Sequence, residues 1–449
     1  MEDKRGRPAG QGHQRADLHP PREVVRIARL LAEAGHQAWA VGGAVRDALA
    51  GLHPGDWDLT TSARPGEVRR LFSRTVPIGI EHGTVGVLGK DGVLYEVTTF
   101  RRDVETDGRH ARVVFADTLE EDLQRRDFTI NAVAWNPLTG EIRDPHGGVE
   151  DLRAGVLRTV GEPAERFRED RLRVLRALRF AGRFHLSIEP ATGAAIRAST
   201  GELGHLSAER VREELWKTLA GPCTPSATLK LYASSGVLGA LYPELAACIG
   251  VADGAGEDVW EHQLRTADEI PRARPLLRLA ALFHDVGKPV ASGPDHAAAG
   301  AAIARAVMRR LKCSNADTDR VVHLVAQHES RPAPTASDPE LRRWVRLVGL
   351  DFYRDLFRLW IACCRARGGD GAELLALWRR LRALLRDRPA LALSDLAIGG
   401  AELRALGLPP GPLYGEILGD LLERVTDDPA LNTRDQLLDI VRAGVADSG

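Results

Sequence analysis

The sequence predicts an α+β protein in which a head with short strands is followed by a long helical region. From residue 23 to residue 161, short β-type runs such as AWAVGG and VLYEVTTF alternate with helical patches and Gly/Asp turns. From residue 162 onward strand signals nearly vanish, and stretches such as AELLALWRRLRALL show helical spacing. We therefore expect about two thirds of the chain to be helical.

The composition of the 449 residues excludes several classes of protein. Lys and Arg total 61 against 62 Asp and Glu, which excludes a uniformly basic chromatin-type protein and an acidic disordered one, so any nucleic-acid surface is local. The five cysteines form no CxxC pair, which argues against disulfides and Cys-rich zinc sites and favours the cytoplasm. No apolar run approaches the roughly 18 residues of a membrane span, and no signal peptide is evident, so we expect neither export nor a membrane partner.

Breaks rich in Gly, Pro and Asp suggest a finer division of the chain. We predict a flexible N-terminal tail without apolar periodicity, a head, a helical neck, a helical body and a helical C-terminal tail. In that order they cover residues 1–22, 23–161, 162–225, 226–370 and 371–449. No sequence feature sets an oligomeric state.

A Gly-Gly turn follows the first predicted strand. The run AWAV leads into Gly42 and Gly43, and a helix begins near Ala44. Because glycine has no Cβ, its backbone N–H can approach an anion, and a helix N-terminus adds partial positive charge. The glycine turn at Gly43, with Arg46 as a further donor, therefore predicts a phosphate-binding site. A purely structural turn is the alternative.

Two carboxylates follow in the segment GDWDLT. The alternation of a strand predicts that Asp56 and Asp58 share a face. Such a pair repels itself unless a hard divalent cation lies between the two, and Mg²⁺ suits them because it prefers oxygen ligands and triphosphate partners. Glu96, in the strand-like VLYEVTTF, is a candidate third acid from a neighbouring strand. The alternative interpretation is a solvated turn.

Taken together, these motifs resemble one known family. The segment GGAVRDALAGLHPGDWDLTT is similar to the signature of the DNA polymerase β nucleotidyltransferase superfamily, in the branch that holds bacterial tRNA nucleotidyltransferases and poly(A) polymerases. The resemblance implies a polymerase β-like head, Mg²⁺ at Asp56 and Asp58, an attacking RNA 3′-hydroxyl and the departure of pyrophosphate. Further segments match this branch in order and spacing over residues 107–137, 144–161 and 165–184.

The segment RRDFTINA is the second part of the predicted site. By the resemblance, Arg126 contacts the incoming nucleotide, whereas a surface ion pair is the alternative. We expect the apolar part of this segment to be strand-like. A loop at residues 101–112 favours complete CCA addition over the addition of CC or A alone.

The choice of base is predicted at EDRLR, which we expect to open a helix. Cytosine and adenine both present an amino donor beside a ring-nitrogen acceptor. Asp170 as acceptor and Arg173 as donor therefore select C and A, and no nucleic-acid template is needed. The alternative is a salt bridge within the helix at i,i+3. Arg176 and Arg179 continue the row by threes and, by the resemblance, also reach the nucleotide.

The segment AALFHDVGKP is a metal-binding HD signature. His284 and Asp285, with His262 upstream, suit a second divalent metal of the phosphohydrolase type. The family's closing Asp aligns with Cys363, which puts hydrolysis in doubt. Candidate further ligands or substitutes are His296, His323, His328, Asp351 and Asp355.

The predicted function is template-independent addition of C and A, from CTP and ATP, to the 3′ end of tRNA. A poly(A) polymerase, or an enzyme that adds only CC or only A, shares these motifs and remains an alternative. An HD-type phosphohydrolase whose head merely binds RNA is an alternative of another class. The intact residues Asp56, Asp58, Asp170 and Arg173 argue against it.

Overall fold

The computed structural model describes residues 15–106, 111–253, 256–291, 293 and 295–446. The chain separates into two compact units, the first formed by Met1–Thr218 with Ala227–Leu241 and the second by Leu219–Ser226 with Tyr242–Gly449. The α+β class is confirmed, because a mixed sheet lies in the first unit and helices dominate the remainder. The finer division into head, neck, body and tails stays a prediction. Within the described part of the chain, every helix is too short or too polar to cross a lipid bilayer.

The first unit is built on a sheet of short strands. The strands are β1 (Ala38–Val41), β2 (Asp58–Thr61), β3 (Thr75–Gly79), β4 (Thr84–Leu88), β5 (Leu94–Thr99), β6 (Arg101–Thr106), β7 (Ala111–Phe115), β8 (Ala134–Trp135), β9 (Ile142–Arg143), β10 (Val156–Leu157) and β11 (Ser187–Ile188). Seven of them form one sheet in the order β3-β4-β5-β2-β1-β8-β9. Strands β2 and β5 are parallel, with Leu59 opposite Val97. Because of this register, Asp58 and Glu96 lie at the same end of the neighbouring strands β2 and β5.

Amphipathic helices flank the sheet and continue beyond it. Up to Leu241 they are α1 (Arg22–Glu33), α2 (Gly43–Leu49), α3 (Pro65–Leu71), α4 (Leu119–Gln124), α5 (Gly148–Ala154), α6 (Pro163–Glu169), α7 (Leu172–Phe184), α8 (Pro190–Ala198), α9 (Ala208–Leu219), α10 (Pro225–Ser235) and α11 (Val237–Leu241). Helix α1 shows why these segments are helical: Val24, Ile27, Ala28 and Leu31 recur at helical spacing and are all buried in the head core.

The second unit is helical from Tyr242 onward. Its helices are α12 (Pro243–Ala246), α13 (Val259–Asp268), α14 (Pro275–Phe283), α15 (Asp295–Arg310), α16 (Asn315–Ala326), α17 (Asp338–Val348), α18 (Tyr353–Ala366), α19 (Ala372–Leu384), α20 (Gly400–Ala405), α21 (Pro412–Asp427) and α22 (Arg434–Ala446). Several begin at a capping side chain: Asp258, Ser314 and Ser337 each accept a backbone N–H of the first turn. A separate apolar core forms between residues 390 and 441.

The residues just before α1 pack on the sheet rather than forming a flexible tail. Trp135 Nε1 donates to Ala16 O at 2.8 Å, and Ala16 N donates to Gly140 O at 3.1 Å. Leu18 packs against the head core. A buried indole N–H needs an acceptor, and this segment supplies it. The rest of the predicted tail, residues 1–14, lies outside the described residues.

The helix predicted to open within EDRLR is present and begins at Leu172. Helix α6 ends at Glu169, Asp170 is extended with φ −149° and ψ 105°, and α7 begins at Leu172. The Asp170 carboxylate accepts the backbone N–H of Leu172 at 3.0 Å. Asp favours such a local turn over the helix interior because its side chain competes for backbone N–H groups. The expected apolar stripe is present, with Leu175 and Leu178 buried.

Two local predictions are wrong. The residues Thr129–Asn131 of RRDFTINA form a buried 3₁₀ turn instead of a strand, held by the Thr129 hydroxyl, which donates to Asp151 at 2.6 Å. Strand β2 begins only at Asp58, so Asp56 precedes it and strand alternation does not set its direction. The loop at residues 101–112 is the β6–β7 hairpin, whose residues 107–110 lie outside the described residues.

Candidate active site and metal centre

Four carboxylates line one cavity of about 530 Å³ in the first unit. One of them, Asp91, accepts hydrogen bonds from Tyr95 and Val93, and the other three are the predicted acids. Strands β2 and β5 supply Asp58 and Glu96, and the segment before β2 supplies Asp56. Burial, with the charges of Glu96 and Asp56, raises the pKa of Asp58 to about 6, although Arg126 partly opposes the increase. This donor set consists of oxygen atoms whose mutual repulsion a cation relieves, so the residues present fit a hard divalent ion.

Arg126 lies against the glycine turn. Gly42 has φ 72° and ψ −133°, and a Cβ at this position would lie 3.1 Å from Arg126 Nη1. Gly43 follows as the first residue of α2. Arg126 Nη2 donates to Asp122 at 3.2 Å, and the charge of the guanidinium also acts on Asp58. The structure therefore brings the predicted turn, the predicted arginine and the carboxylates together.

Arg46 lies in the interior of the first unit, and 4% of it is exposed. Its Nε and Nη2 atoms donate to Asp47 Oδ1 at 2.8 and 2.6 Å, and Nη1 donates to Asn131 Oδ1 at 2.6 Å. The guanidinium also lies over the rings of Phe180 and Phe184. These contacts join α2 to α7 and use most of the donors of Arg46, so this geometry gives no support to its prediction as a phosphate donor.

The predicted base-reading pair has other ionic partners. Asp170 Oδ2 accepts from Arg210 Nη2 at 2.8 Å. Arg173 Nη1 donates to Glu169 Oε2 at 2.5 Å, and its Nη2 donates to Arg125 O at 3.2 Å. The alternative of an i,i+3 salt bridge is therefore not what the structure shows. Both side chains lie at the break between α6 and α7, where 28% of the Asp170 side chain and 12% of the Arg173 side chain are exposed.

Arg176 and Arg179 are held in ion pairs within the first unit. Arg176 donates twice to Asp127 Oδ2, at 2.8 and 2.6 Å. Arg179 donates to Glu214 Oε2 at 2.6 Å, and Glu214 is 0% exposed. Burial alone would raise the pKa of Asp127, but the Arg176 charge and hydrogen bonds from Asn131 and Arg176 lower it to about 2. These two ion pairs connect α7 to the segment that carries Asp127 and to α9, which carries Glu214.

The sequence reasoning missed the acidic partners of this arginine row. For Glu214 a signal was available, because it lies on α9 between Val211 and Leu215, on the apolar stripe of that helix. A carboxylate at a buried position is almost always paired. Asp127 carried no such periodic signal, because the turn that buries it is irregular.

A second cluster of ligand side chains lies in the second unit, beside a cavity of about 700 Å³. Among the described residues, two groups have ligand atoms within 4.8 Å of one another. Their members come from α13, the end of α14, α15, the residues after α16, and α18. The first group is His262, His284 and Cys363, and the second is Asp285, His296 and His328.

Asp285 lies between the two groups. Its Oδ2 atom is 3.3 Å from His284 Nε2, and its Oδ1 atom is 3.4 Å from the Nε2 atoms of both His296 and His328. Lys288 Nζ also donates to Oδ2, at 2.7 Å. Burial lowers the pKa of His262 to about 3. Burial opposes the charged form of His284 as well, but the adjacent Asp285 carboxylate raises its pKa well above the ordinary value.

The other candidate ligands lie elsewhere in the second unit. His323 Nε2 bonds to Val348 O at 2.8 Å, and its ring stacks on Phe352. Asp355 accepts from Arg274 and Arg358, and Asp351 is exposed. Cys363 Sγ, by contrast, lies 3.8 Å from His284 Nε2. The position aligned with the closing Asp is thus occupied by a thiol.

Three family models match consecutive parts of the chain. They are the Poly A polymerase head domain over residues 38–158, a probable RNA and SrmB-binding site of polymerase A over residues 185–249, and the HD domain over residues 249–349. A CCA-adding enzyme of Geobacillus kaustophilus is 34% identical over 424 residues, which cover 94% of this chain and 96% of that protein. The chain belongs to the CCA-adding enzyme family.

Two further CCA-adding enzymes agree with this assignment. The enzyme of Anoxybacillus flavithermus is 48% identical over 227 residues, and this match spans 50% of the chain and 56% of that protein. The crystal structure of the Bacillus stearothermophilus CCA-adding enzyme in complex with CTP matches with a TM-score of 0.73 and 31% identity, over 95% of this chain and 98% of that one. The predicted resemblance is confirmed, and a nucleotidyltransferase family with an HD domain implies the use of divalent metal ions.

Proposed function

We propose that this chain adds C and A, from CTP and ATP, to the 3′ end of tRNA by Mg²⁺-dependent nucleotidyl transfer. The observation that carries the proposal is the cavity in which Asp56, Asp58 and Glu96 converge beside Arg126. Family membership selects the reaction from those that such a cavity supports. We infer a cytoplasmic location from the proposed substrates, nucleotides and tRNA.

Asp56 and Asp58 hold the metal in this account, with Glu96 as a third acid. When bound there, Mg²⁺ would supply positive charge that neutralises the triphosphate and favours ionisation of the attacking 3′-hydroxyl. The Gly42–Gly43 turn leaves room for Arg126, whose Nη1 atom lies against Gly42 and whose charge acts on Asp58. Positioning and charge neutralisation account for catalysis of this type, so no protein nucleophile is required.

Asp170 and Arg173 read the base in this proposal. The Asp170 carboxylate accepts from the amino group of C or A, and the Arg173 guanidinium donates to the ring nitrogen. In the absence of a base, Arg210 and Glu169 occupy these two groups. Binding of the base therefore replaces the hydrogen bonds to Arg210 and Glu169 with hydrogen bonds to the base. The protein in this way acts as the template in place of a nucleic acid. We assign Arg46 and Arg179 to positioning this region, because each is buried and held by a carboxylate. Arg176, whose side chain is 32% exposed, stays a candidate nucleotide contact.

The test supplies the purified protein and Mg²⁺ with tRNA transcripts that end before CCA, after C and after CC. Labelled CTP and ATP are supplied separately and together. We expect incorporation that stops at CCA. Long tails from ATP alone would replace the proposal with a poly(A) polymerase, and addition of only C or only A would replace it with a partial activity. The β6–β7 hairpin favours complete addition.

A second candidate function is supported by the HD cavity. Lys288, Arg331 and Arg367 line it together with His284 and Asp285. Cationic side chains beside metal ligands suit a phosphate ester, so metal-dependent phosphoester hydrolysis is the second candidate. Asp56→Ala separates the two functions, because it should abolish nucleotide addition and leave any phosphatase activity toward p-nitrophenyl phosphate unchanged.

A further inference from the structure

Three histidines of the HD cavity are oriented in the same way. Nδ1 of His284, His296 and His328 lies 2.7, 2.5 and 2.7 Å from the backbone carbonyl three residues earlier. An Nδ1–H that donates to a carbonyl leaves the neutral ring with its lone pair on Nε2. Metal-binding histidines are commonly fixed by such a hydrogen bond on the distal nitrogen. The three Nε2 atoms converge on the Asp285 carboxylate.

Two of these nitrogens lie at a distance that suits a shared metal ion. His296 Nε2 and His328 Nε2 lie 3.1 Å apart, and both side chains are buried. With both Nδ1 atoms protonated, two lone pairs face each other at this distance. Two imidazole nitrogens bound tetrahedrally to a zinc-sized ion are about 3.3 Å apart, given bonds of roughly 2.0 Å. An ion between them converts a repulsion into two bonds.

His262 adds an independent observation. It is 0% exposed, and neither of its ring nitrogens has a hydrogen-bond partner among the described residues, although Glu257 Oε2 lies 3.5 Å from Nδ1. Its ring packs edge-on against His284, with the centroids 5.2 Å apart. A buried imidazole without hydrogen bonds is unfavourable unless a ligand satisfies it.

Cys363 completes this side of the cluster. Its Sγ atom lies 3.8 Å from His284 Nε2 and belongs to the same group as His262. A thiolate and an imidazole on one tetrahedral ion are separated by about 3.6 Å. Cys363 lies on α18, beyond residue 349, where the match to the HD domain ends. Asp355 on the same helix is held by Arg274 and Arg358 and does not take its place.

We propose that Cys363 is a thiolate ligand of a divalent metal centre formed with His262, His284 and Asp285, and that this centre prefers Zn²⁺ or Co²⁺ to Mg²⁺. Thiolate and imidazole donors favour borderline ions, whereas Mg²⁺ requires oxygen ligands. His296 and His328 extend the donor set on the other side of Asp285. The proposal concerns the identity of the ligands and is independent of both nucleotide addition and hydrolysis.

The test is an anaerobic titration of the metal-stripped full-length protein with CoCl₂. We expect a thiolate-to-Co(II) charge-transfer band in the near ultraviolet. Cys363→Ser should lose this band and bind Co²⁺ on the order of 10- to 100-fold more weakly. Cys364→Ser, a change at the adjacent cysteine that also lines the cavity, should retain both properties. Co²⁺ bound at Asp56 and Asp58 has no thiolate ligand and does not contribute to the band.

Two further measurements keep the test decisive. Cys363→Asp should bind Co²⁺ without the charge-transfer band. Circular dichroism and nucleotide addition show whether Cys363→Ser folds. If it does not fold, Cys363→Asp is used in its place. Millimolar Mg²⁺ should leave the native band intact, whereas Zn²⁺ should remove it. The proposal is overturned if saturating Co²⁺ gives no band in the native protein. It is also overturned if the band persists in Cys363→Ser, or if Mg²⁺ displaces Co²⁺ as effectively as Zn²⁺.

Discussion

At the scale of single residues, Asp127 is a buried carboxylate that accepts hydrogen bonds from three residues of the first unit. Its carboxylate accepts from Arg176, from Asn131 Nδ2 and from the backbone N–H of Phe128. It is 8% exposed, and its pKa is about 2. Because the folded pKa lies below the ordinary value of 3.8, the ionised carboxylate stabilises the fold above that value. The contribution is lost as pH falls through about 2.

Asp127→Asn should therefore lower the free energy of unfolding at pH 7 by about 3–5 kcal/mol, because it leaves Arg176 without its buried counterion. The difference from the native protein should narrow as pH falls from 4 toward 2. Urea unfolding at a series of pH values measures both effects. Asp117→Asn is the control, because Asp117 is exposed in its pair with Arg64 and should contribute under about 1 kcal/mol. Equal losses in the two variants would contradict the role of Asp127.

Gly42 combines two constraints that a single substitution tests. Its φ of 72° disfavours any other residue, and an added Cβ would meet Arg126 Nη1 at 3.1 Å. Gly42→Ala should cost about 1–3 kcal/mol of stability and also reduce nucleotide addition, because Arg126 must move. In Gly51→Ala the φ is similarly positive, at 71°, but no atom lies within 4 Å of the new Cβ. That variant should lose stability and keep its activity. If both variants lose activity equally, displacement of Arg126 is not the cause.

At the scale of elements, α7 contacts three other helices and the segment that carries Asp127 through its arginines. Arg173, Arg176, Arg179 and Arg183 lie at helical spacing, and each pairs with a carboxylate from a different part of the first unit. Phe180 packs beneath three of the first unit's arginines, with ring-to-guanidinium distances of 4.4 to 5.3 Å. The row that the sequence predicts as a nucleotide-facing surface is thus largely an assembly of ion pairs.

The Arg179–Glu214 pair is the most buried of these contacts. Arg179→Met alone should destabilise the protein by about 3–5 kcal/mol, because it leaves the carboxylate of Glu214 buried with Lys217 as its remaining partner. Arg179→Met combined with Glu214→Leu should recover most of that loss. Thermal unfolding of the two single variants and the double variant measures the coupling. Additive losses would show that the pair does not act as a unit.

Elements with strong local signals were predictable from the sequence. Strands β1, β4 and β5 and the helical character beyond residue 162 follow from periodicity and β-branched content. The break at Asp170 and the 3₁₀ turn at Thr129–Asn131 were not, because a capping hydrogen bond and a buried hydroxyl override local propensity there. Candidate site residues could be chosen by type and motif. Their partners, such as Arg210 for Asp170, come from distant segments and depend on the fold.

At the scale of the whole molecule, the two units present different metal chemistry. Asp56, Asp58 and Glu96 offer carboxylate oxygens alone, whereas the HD cluster offers imidazoles, the sulfur of Cys363 and one carboxylate. The net charge of the chain is near zero, so these two groups of charged side chains are local features and not parts of a uniformly charged surface. Hard ions suit the first site and borderline ions the second.

Reciprocal variants test whether the two sites are separate. Asp56→Ala should abolish nucleotide addition and leave the Co(II) charge-transfer band unchanged. His284→Ala should remove the band and leave nucleotide addition within about two-fold of the native rate, because its hydrogen bond to Ala281 and its ion pair with Asp285 lie within the second unit. Loss of addition in His284→Ala with an intact circular dichroism spectrum would show that the sites depend on each other.

The central claim is that Asp170 and Arg173 choose the base. The most direct measurement is the rate of single-nucleotide addition from CTP, ATP, UTP and GTP to a tRNA transcript that ends before CCA. Asp170→Ala and Arg173→Ala are compared with the native protein and with Arg171→Met, whose arginine pairs with Glu202 and serves as the control.

We expect the native protein and Arg171→Met to add C and to reject U and G. In Asp170→Ala and in Arg173→Ala, the preference for C over U should fall by about 10- to 100-fold, the discrimination that a good bidentate contact provides. Variants at Asp170 and Arg173 that remain active and keep the native preference would contradict the account, because the base would then be chosen elsewhere.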